Sequence, residues 1–374
     1  GSVGQHVAGM FADAGLSWIA TDQGVLARSG KWGYEVDKPE VLAKPYRVGE
    51  KGREVAAFFR HTKLSDDIGF TMQGYADYDR AADDFLEWVR VGYANGIKRR
   101  RDHVLSIILD GENAWGSYRN RGTAFLRGVY KRLSSDPDLV SVTFSEYLDG
   151  NPERDIRAHP VAKLEAARPL YCASWIDEMG SSDGNDLNIW VGSPQENRAW
   201  ELLGRVRAHL DEVGATPETH PDAFEAIYRA EGSDWFWWFG DDFVQPTGGE
   251  LQFDEIFRGH LKDVYRGLGE EPPAELDEAI AEDIVIWSAE DPAPLVRPGQ
   301  ILRVMAGSSG TVEWTTDDWK HTQKTPLVPA GDVMSNRIGY AARLAPIPAD
   351  VSNLRFRILP DVGDDPEWTV SVAP

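Results

Sequence analysis

The chain has 374 residues, enough for two or three domains, and 42% of them are hydrophobic, which supports folded cores. Its formal net charge of -22 argues against nucleic acid or an anionic membrane as a partner. The single cysteine, Cys172, excludes an internal disulfide and a zinc site built on several thiolates.

The first predicted elements alternate between helices and short strands that end in polar residues. Helical spacing covers Val7 to Gly15, and the apolar run from Leu16 to Ala20 predicts a buried strand. The polar stretch TDQG follows it directly at 21–24. A second apolar strand, Glu54 to Phe59, ends in the same way in an Arg and a His.

The stretch HVLSIILDGENAWGSY at 103–118 organises this part of the chain. Val104 to Leu109 is an apolar run in which Ser106 is the one polar residue, and it predicts a strand buried on both faces. Asp110 and Glu112 follow where that strand should end. Barrel enzymes place their chemistry at the carboxyl ends of parallel strands. The alternative interpretation is a helix-capping Asp followed by a surface Glu.

Further helices are predicted at Asp79 to Val91 and Thr123 to Leu133, with a strand at Val140 to Thr143. Alternating strands and helices are typical of a β/α barrel. They supply about four strands, whereas a closed barrel needs seven or eight. We therefore expect the other strands to come from a missing N-terminal portion, since the chain begins with Gly rather than Met, or from a partner chain.

The second half of the chain changes from helices to strands. Long helices are predicted at Asn197 to Val213 and Phe253 to Leu268, and short strands at 301–305, 311–315, 354–359 and 368–372. The predicted division is a partial barrel at 1–150, a helical bundle at 151–270, a linker at 271–283 and an all-β sandwich at 284–374.

Six blocks carry a resemblance to a known family: WIATDQGVL at 18–26, FRHTKLSDDIGF at 59–70, LDGENAW at 109–115, SVTFSEYL at 141–148, NIWVGSPQENRAW at 188–200 and SDWFWWFGDDF at 233–243. In these blocks the chain resembles glycoside hydrolase family 57, especially its α-amylase and amylopullulanase-like members. The resemblance implies an α/β fold with an incomplete seven-stranded β/α barrel followed by a helical bundle. It also implies retaining action on α-glucans through two carboxylates, with no metal or cofactor.

The resemblance assigns the acid/base role to Asp110, from the family's D-G-E-N block, and the nucleophile to position 23, from its T-D-E-G block. Here that position holds Gln23, whose amide can keep hydrogen bonds but forms no useful covalent intermediate. Three explanations stay open: an engineered exchange, a natural binding-only homologue, or another residue that has taken over. Asp22 should point to the opposite side of an extended segment. The family's earliest block, a His-Gln-Pro triplet, has no counterpart in this sequence.

The candidate substrate-binding residues follow the predicted strand ends or belong to the aromatic block. For the Trp residues the alternative is core packing, for His61 a surface or supporting histidine, and for Asp234 an acidic loop. These candidates are Arg60, His61, Asp66, Glu112, Trp115, Asp234, Trp235 and Trp238.

The sequence therefore predicts a glycoside hydrolase-like protein that acts on α-glucans such as starch, glycogen and maltooligosaccharides, and whose turnover is impaired. The alternatives are a non-catalytic α-glucan-binding homologue and half of a barrel that another chain completes. The stretches VEWTTDDWK at 312–320 and FRILPDVGDDPEW at 356–368 resemble a carbohydrate-binding module, although a supporting sandwich explains them equally well. No signal peptide or membrane span is visible, which favours the cytoplasm.

Overall fold

A computed structural model describes residues 1–30, 33–94, 103–111, 115–174, 187–240, 249–293, 295–332, 337–361 and 367–372. The chain divides into two compact units, Gly1–Asp177 and Glu178–Pro374. Both units contain helices and strands, so the protein is of mixed α/β class. Within the described part of the chain, no helix is long and apolar enough to cross a membrane.

The first unit is built from short strands and the helices that follow them. Its elements are α1 (Gln5–Asp13), β1 (Trp18–Asp22), α2 (Gln23–Arg28), α3 (Pro39–Leu42), β2 (Tyr46–Glu50), β3 (Arg53–Arg60), α4 (Thr62–Asp66), α5 (Tyr78–Val89), α6 (Thr123–Ser135) and α7 (Phe144–Asp149). The strand order is β1-β3-β2, with β1 parallel and β2 antiparallel to β3. The predicted helices of this unit and its first two predicted strands are confirmed.

The central strand β3 is buried on both faces. Val55, Ala57 and Phe59 belong to a large core cluster, while Ala56 and Phe58 belong to a second one with residues of α7. This alternation follows from the two-residue period of a strand. Helices therefore cover both faces of the sheet, as the apolar sequence of β3 predicts.

The strand predicted at 104–109 is wrong, because this segment makes only one isolated parallel bridge, between Arg60 and Ser106. At Ile108 side chains supply the bonds: Arg60 Nε donates to the Ile108 carbonyl at 2.7 Å, and the Ile108 N–H donates to Ser65 Oγ at 3.1 Å. At the start of the segment the Val104 N–H donates to the Ala43 carbonyl at 3.0 Å. These bonds replace a regular ladder and still hold the segment beside the end of β3.

The strand predicted at 140–143 is also wrong. These residues run irregularly into α7, whose N-cap Thr143 accepts a hydrogen bond from the Glu146 N–H at 3.1 Å. A β-branched residue favours strands in general, but a Thr hydroxyl that caps a helix commits the backbone to begin that helix.

The helices of the second unit are α8 (Pro194–Glu212), α9 (Pro221–Ala230), α10 (Asp234–Trp237) and α11 (Gly249–Gly267). The two long helices predicted from the sequence are confirmed. A capping box between Ser193 and Glu196 begins α8. Apolar side chains of all four helices, among them Leu202, Ile227 and Phe257, share one core.

The strands of the second unit are β4 (Ile284–Trp287), β5 (Leu295–Val296), β6 (Ile301–Ala306), β7 (Gly310–Thr315), β8 (Gln323–Asp332), β9 (Arg337–Arg343), β10 (Asn353–Pro360) and β11 (Glu367–Val372). They are ordered β4-β6-β9-β8-β7-β10-β11-β5. The long β8 pairs with β7 over its first half and with β9 over its second half. The strands that pair with each half, β7 and β9, both contribute to one core around Trp287, Trp314 and Phe356. The four predicted strands are confirmed.

Candidate functional site

A cavity of about 300 Å³ opens in the first unit where β1 and β3 end. Three stretches of the chain meet there because Asp22 pairs with Arg60 in the parallel register and Arg60 bridges to Ser106. The lining residues are Gly1, Ala20, Thr21, Arg60, Ser65, Asp66, Gly69, Phe70, Ile108, Leu109 and Asp110.

Arg60 joins the three stretches through one guanidinium group. Its side chain is only 10% exposed. Nη1 lies 3.3 Å from Oδ2 of Asp22, Nη2 donates to Oδ1 of Asp66, and Nε donates to the Ile108 carbonyl. Charge-assisted bonds of this kind fix geometry as well as charge. Arg60 therefore determines the distance between the ends of β1, α4 and the 103–110 segment.

Asp22 lies behind Arg60 and is the most buried carboxylate beside the cavity. Its side chain accepts hydrogen bonds from the Gly24 N–H and from Thr62 Oγ1, both at 2.8 Å. Burial raises the pKa of Asp22 above its ordinary value, although these bonds and Arg60 act in the opposite direction. The expectation that Asp22 points away from Gln23 is wrong, because Gln23 begins α2 and the strand alternation stops there.

Gln23 is held by both atoms of its amide group. Its Oε1 accepts from the Thr62 N–H at 3.0 Å, and its Nε2 donates to Oδ1 of Asp37 at 3.1 Å. A carboxylate could keep the first bond but would present an acceptor to the Asp37 carboxylate in place of the second. Gln23 is not among the described residues that line the cavity; Thr62, which bonds to it, also donates to the Asp22 carboxylate.

Asp110 and Asp66 line the same cavity as Arg60, so the structure brings three of the predicted site residues together. The Asp66 side chain is 43% exposed despite its bond to Arg60, and water or a ligand can reach it. Phe70, which is 75% exposed, supplies an aromatic surface at the same opening. Carboxylates, a guanidinium and one aromatic ring are the groups that sugar sites use.

His61 and Trp115 have structural contacts next to the cavity rather than in its described lining. His61 caps α4, where its Nδ1 accepts from the Leu64 N–H at 3.3 Å, and burial lowers the pKa of its imidazole. Trp115 packs on Tyr118 and covers Gly122, where a Cβ would lie 2.4 Å from the indole ring. Glu112 lies outside the described residues.

The other three predicted residues, Asp234, Trp235 and Trp238, belong to the second unit. Trp235 donates from Nε1 to the Arg229 carbonyl at 2.8 Å and packs against the helical core. Trp238 stacks on Phe253 with ring centroids 4.8 Å apart. Each of these two rings is half-buried and is anchored by α11 or α9, while Asp234 is exposed at the start of α10.

The sequence reasoning missed Asp37 and Thr62, and it misplaced Asp22. Thr62 follows a predicted strand end, so its position was a usable signal. Asp37 ends a short 3-10 helix, Gly33–Asp37, in a stretch whose sequence shows no regular pattern. Among the residues that the structure describes, no cluster of three or more His, Cys, Asp or Glu could hold a metal ion.

Comparisons with known proteins concern mainly the first unit. Residues 2–163 match the family model described as glycosyl hydrolase family 57, and this segment contains every lining residue of the cavity except Gly1. No curated protein sequence matches the chain. The chain is similar to the crystal structure of the 4-alpha-glucanotransferase from Thermococcus litoralis, with 15% identity, a TM-score of 0.38 and coverage of 73% of this chain. It spans 40% of that relative. Residues 2–163 are therefore similar to glycosyl hydrolase family 57.

Proposed function

We propose that the cavity of the first unit binds α-glucans and carries an impaired form of glycoside hydrolase or glucanotransferase machinery. The observation that carries this proposal is the meeting of Asp110 with Arg60 and Asp66 in one cavity, although Asp110 comes from a different sequence block. The substrate class is supported by the resemblance of those blocks to α-amylase-like family members. The wider division into a partial barrel, a bundle and a sandwich is part of the same proposal.

The proposed mechanism is the retaining scheme with two carboxylates about 5–5.5 Å apart. In the first step, a carboxylate at position 23 attacks the anomeric carbon while Asp110 gives its proton to the leaving glycosidic oxygen. In the second step, Asp110 takes a proton from water, or from a sugar hydroxyl in transfer, as the new C–O bond forms. The bond between the anomeric carbon and the carboxylate at position 23 breaks as this new bond forms, and the carboxylate is released with its electron pair.

The amide of Gln23 stops this cycle at its first step. It is a poor nucleophile, and its oxygen is already bonded to the Thr62 N–H. Removing a group that acts only in the transition state lowers turnover with little effect on substrate binding. We therefore expect the protein to bind oligosaccharide while it turns over slowly.

A second candidate function is a binding protein without catalysis, and the contact between Gln23 and Asp37 favours it. The Nε2 group of Gln23 donates to a carboxylate at 3.1 Å, which is a partner suited to an amide. A glutamate at the same place would face a like charge, and its pKa would rise. A third candidate is half of a barrel that needs further strands from a preceding segment or from another chain.

Reducing-sugar release and maltooligosaccharide binding test the first candidate against the second. The proteins to compare are the full-length wild type, Gln23→Glu, and Gln23→Glu combined with Asp37→Asn. We expect all three to bind, the single variant to gain turnover, and the double variant to gain more because the like charge is removed. Adding Asp110→Asn to the double variant is the matched control and should abolish the gain.

Two results would contradict the catalytic proposal. If the double variant binds but stays inert, the protein is a binding homologue. If the wild type already turns over as fast as the variants, position 23 is not the nucleophile position.

A further inference from the structure

A single π-helical turn, Asp67–Thr71, follows α4 directly and carries two residues that line the cavity, Gly69 and Phe70. Turns of this type are rare and lie frequently at functional sites. Phe70 is 75% exposed, more than any other large hydrophobic side chain in the described part of the first unit. A single exposed apolar residue is ordinary on a protein surface, but this ring also borders a cavity that carboxylates line.

Hydrogen bonds hold the π-helical turn in place. The Tyr118 hydroxyl donates to the Ile68 carbonyl. Asp67, whose side chain is buried, accepts from Thr71 Oγ1 at 3.0 Å and from Lys63 Nζ at 2.7 Å. The fold therefore determines where the exposed ring lies before any ligand binds, and a ligand does not have to supply the entropy cost of ordering this turn.

The fold does not require a glycine at position 69. An added Cβ there would meet no heavy atom within 4 Å, and the backbone does not adopt the left-handed φ that favours glycine. A glycine inside a helical segment is also less stable than an alanine at the same place. What the missing side chain does provide is open space on the cavity wall, directly beside the Phe70 ring.

We infer that Phe70, Gly69 and Asp66 form a subsite for one pyranose ring at the mouth of the cavity, and that this subsite makes affinity depend on the length of the glucan. The C–H face of the sugar stacks on the exposed Phe70 ring, and Gly69 leaves room for the edge of that sugar. Arg60 fixes Oδ1 of Asp66, whose side chain is still 43% exposed, so the carboxylate can accept hydrogen bonds from sugar hydroxyls.

The size of the cavity explains why chain length should matter. Its volume of about 300 Å³ is at the lower end of the range for small-molecule sites, so it encloses only a small part of an oligosaccharide. The other rings of a longer ligand lie outside it, over the opening where Phe70 is exposed. The subsite belongs to the cavity of the proposed function, so its assignment to an α-glucan rests on that proposal. It adds two residues, Gly69 and Phe70, to which the family resemblance assigns no role.

The test is calorimetric titration of the full-length protein with maltose and with maltohexaose. Wild type should bind maltohexaose more tightly than maltose. Phe70→Ala should lower the affinity for maltohexaose about tenfold, as loss of one aromatic stack predicts, and change the affinity for maltose less than about twofold. Phe70→Tyr keeps a ring and should keep the preference for the longer ligand. Tyr130→Ala, which removes another exposed ring of the first unit, should change neither affinity.

A second pair of variants tests the open space beside the ring. Gly69→Leu fills that space and should lower the affinity for maltohexaose at least about tenfold, because the sugar can no longer reach the Phe70 face. Gly74→Leu is the matched control: an added Cβ there also meets no heavy atom within 4 Å, but Gly74 is not among the described residues that line the cavity. Both variants should fold, and only the first should weaken binding.

The outcomes separate this subsite from the proposed function. If wild type binds maltohexaose and neither Phe70→Ala nor Gly69→Leu weakens that binding, the subsite is overturned and the α-glucan proposal stands. The subsite is equally overturned if Phe70→Ala weakens maltose and maltohexaose to the same extent, or if Gly74→Leu weakens binding as much as Gly69→Leu. A wild type that binds neither sugar would contradict the proposed function and the subsite together.

Discussion

Asp22 in the first unit and Glu313 in the second are both buried carboxylates paired with an arginine, yet their pKa values shift in opposite directions. Their side chains are 4% and 8% exposed. Burial raises the pKa of Asp22, whereas hydrogen bonds from Arg357 lower the pKa of Glu313. Similar burial therefore does not predict a similar charge state.

The two carboxylates differ in how strongly burial removes water from them, which is the largest cause at Asp22, and in how many acceptors each arginine serves. Arg60 is shared by two carboxylates and a carbonyl, and it comes no closer to Asp22 than 3.3 Å. Arg357 directs two nitrogens at Glu313, which also has Lys324 nearby. In the first unit, Arg60 holds together the chain segments around the cavity and compensates the charge of the Asp22 carboxylate only in part. In the second unit, Arg357 and Lys324 compensate the charge of the Glu313 carboxylate. The outer side of the Arg357 guanidinium also supports the Trp319 ring.

The largest predicted difference between the two sites is the loss of unfolding free energy when each arginine is removed. Arg60→Leu should cost about 3–5 kcal/mol of unfolding free energy, because it leaves the Asp22 carboxylate buried without its cation. Arg357→Leu should cost only about 1 kcal/mol, since the arginine side chain is 47% exposed and Lys324 remains. Urea unfolding monitored for each unit measures both values. Equal costs would show that sharing of the guanidinium has no energetic consequence.

The pH dependence of stability tests the opposite pKa shifts of the two carboxylates. The variants to compare with wild type are Asp22→Asn and Glu313→Gln. The pKa of Asp22 in the folded protein is above its ordinary value of 3.8. The contribution of Asp22 to the free energy of unfolding is therefore fully present below pH 3.8 and is lost as pH rises through the folded pKa. The pKa of Glu313 in the folded protein is below its ordinary value of 4.5. The contribution of Glu313 to the free energy of unfolding is therefore present above pH 4.5 and is lost as pH falls through the folded pKa. Stability of wild type relative to each variant, measured across acidic pH, should therefore slope in opposite directions. Slopes of the same sign for the two variants would contradict the opposite directions of the pKa shifts of Asp22 and Glu313.

The smallest expected effect concerns the loop that supports Trp319. Trp319→Ala and Trp319→Gly remove the same ring contacts, but only glycine accepts the left-handed φ of 67° without strain. We expect the glycine variant to be about 1 kcal/mol more stable than the alanine variant in thermal or urea unfolding. An alanine variant of equal or higher stability would mean that the loop relaxes once the indole is gone.

The sequence was sufficient to predict the helices and strands that show a regular spacing of apolar residues. Apolar spacing located α5, α6, α8 and α11, and alternation located β6, β7, β10 and β11 of the second unit. It failed at 104–109, where the apolar run is real but Arg60 and Ser65 side chains replace the strand ladder. Periodicity contains no information about such long-range side-chain bonds.

The candidate site was predictable to the same extent. Asp110, Arg60 and Asp66 carry the signal of polar residues at strand ends, and the cavity brings them together. The partner of Gln23 could not be predicted, because Asp37 reaches it from a stretch whose sequence shows no regular pattern. The direction of Asp22 depends on where the strand stops and α2 begins, and element boundaries are the least certain feature of a sequence pattern.

The central claim is that position 23 is the place of the nucleophile and that Asp110 is the acid/base, and covalent trapping tests it most directly. The full-length Gln23→Glu and Asp110→Ala double variant is incubated with α-glucosyl fluoride, whose leaving group needs no proton, and its peptides are analysed by mass spectrometry. A glycosyl adduct should accumulate on the peptide that contains position 23, because no base remains to activate water. The wild type should carry none. An adduct on Asp22 or Asp66, or the same adduct on wild-type protein, would contradict the account.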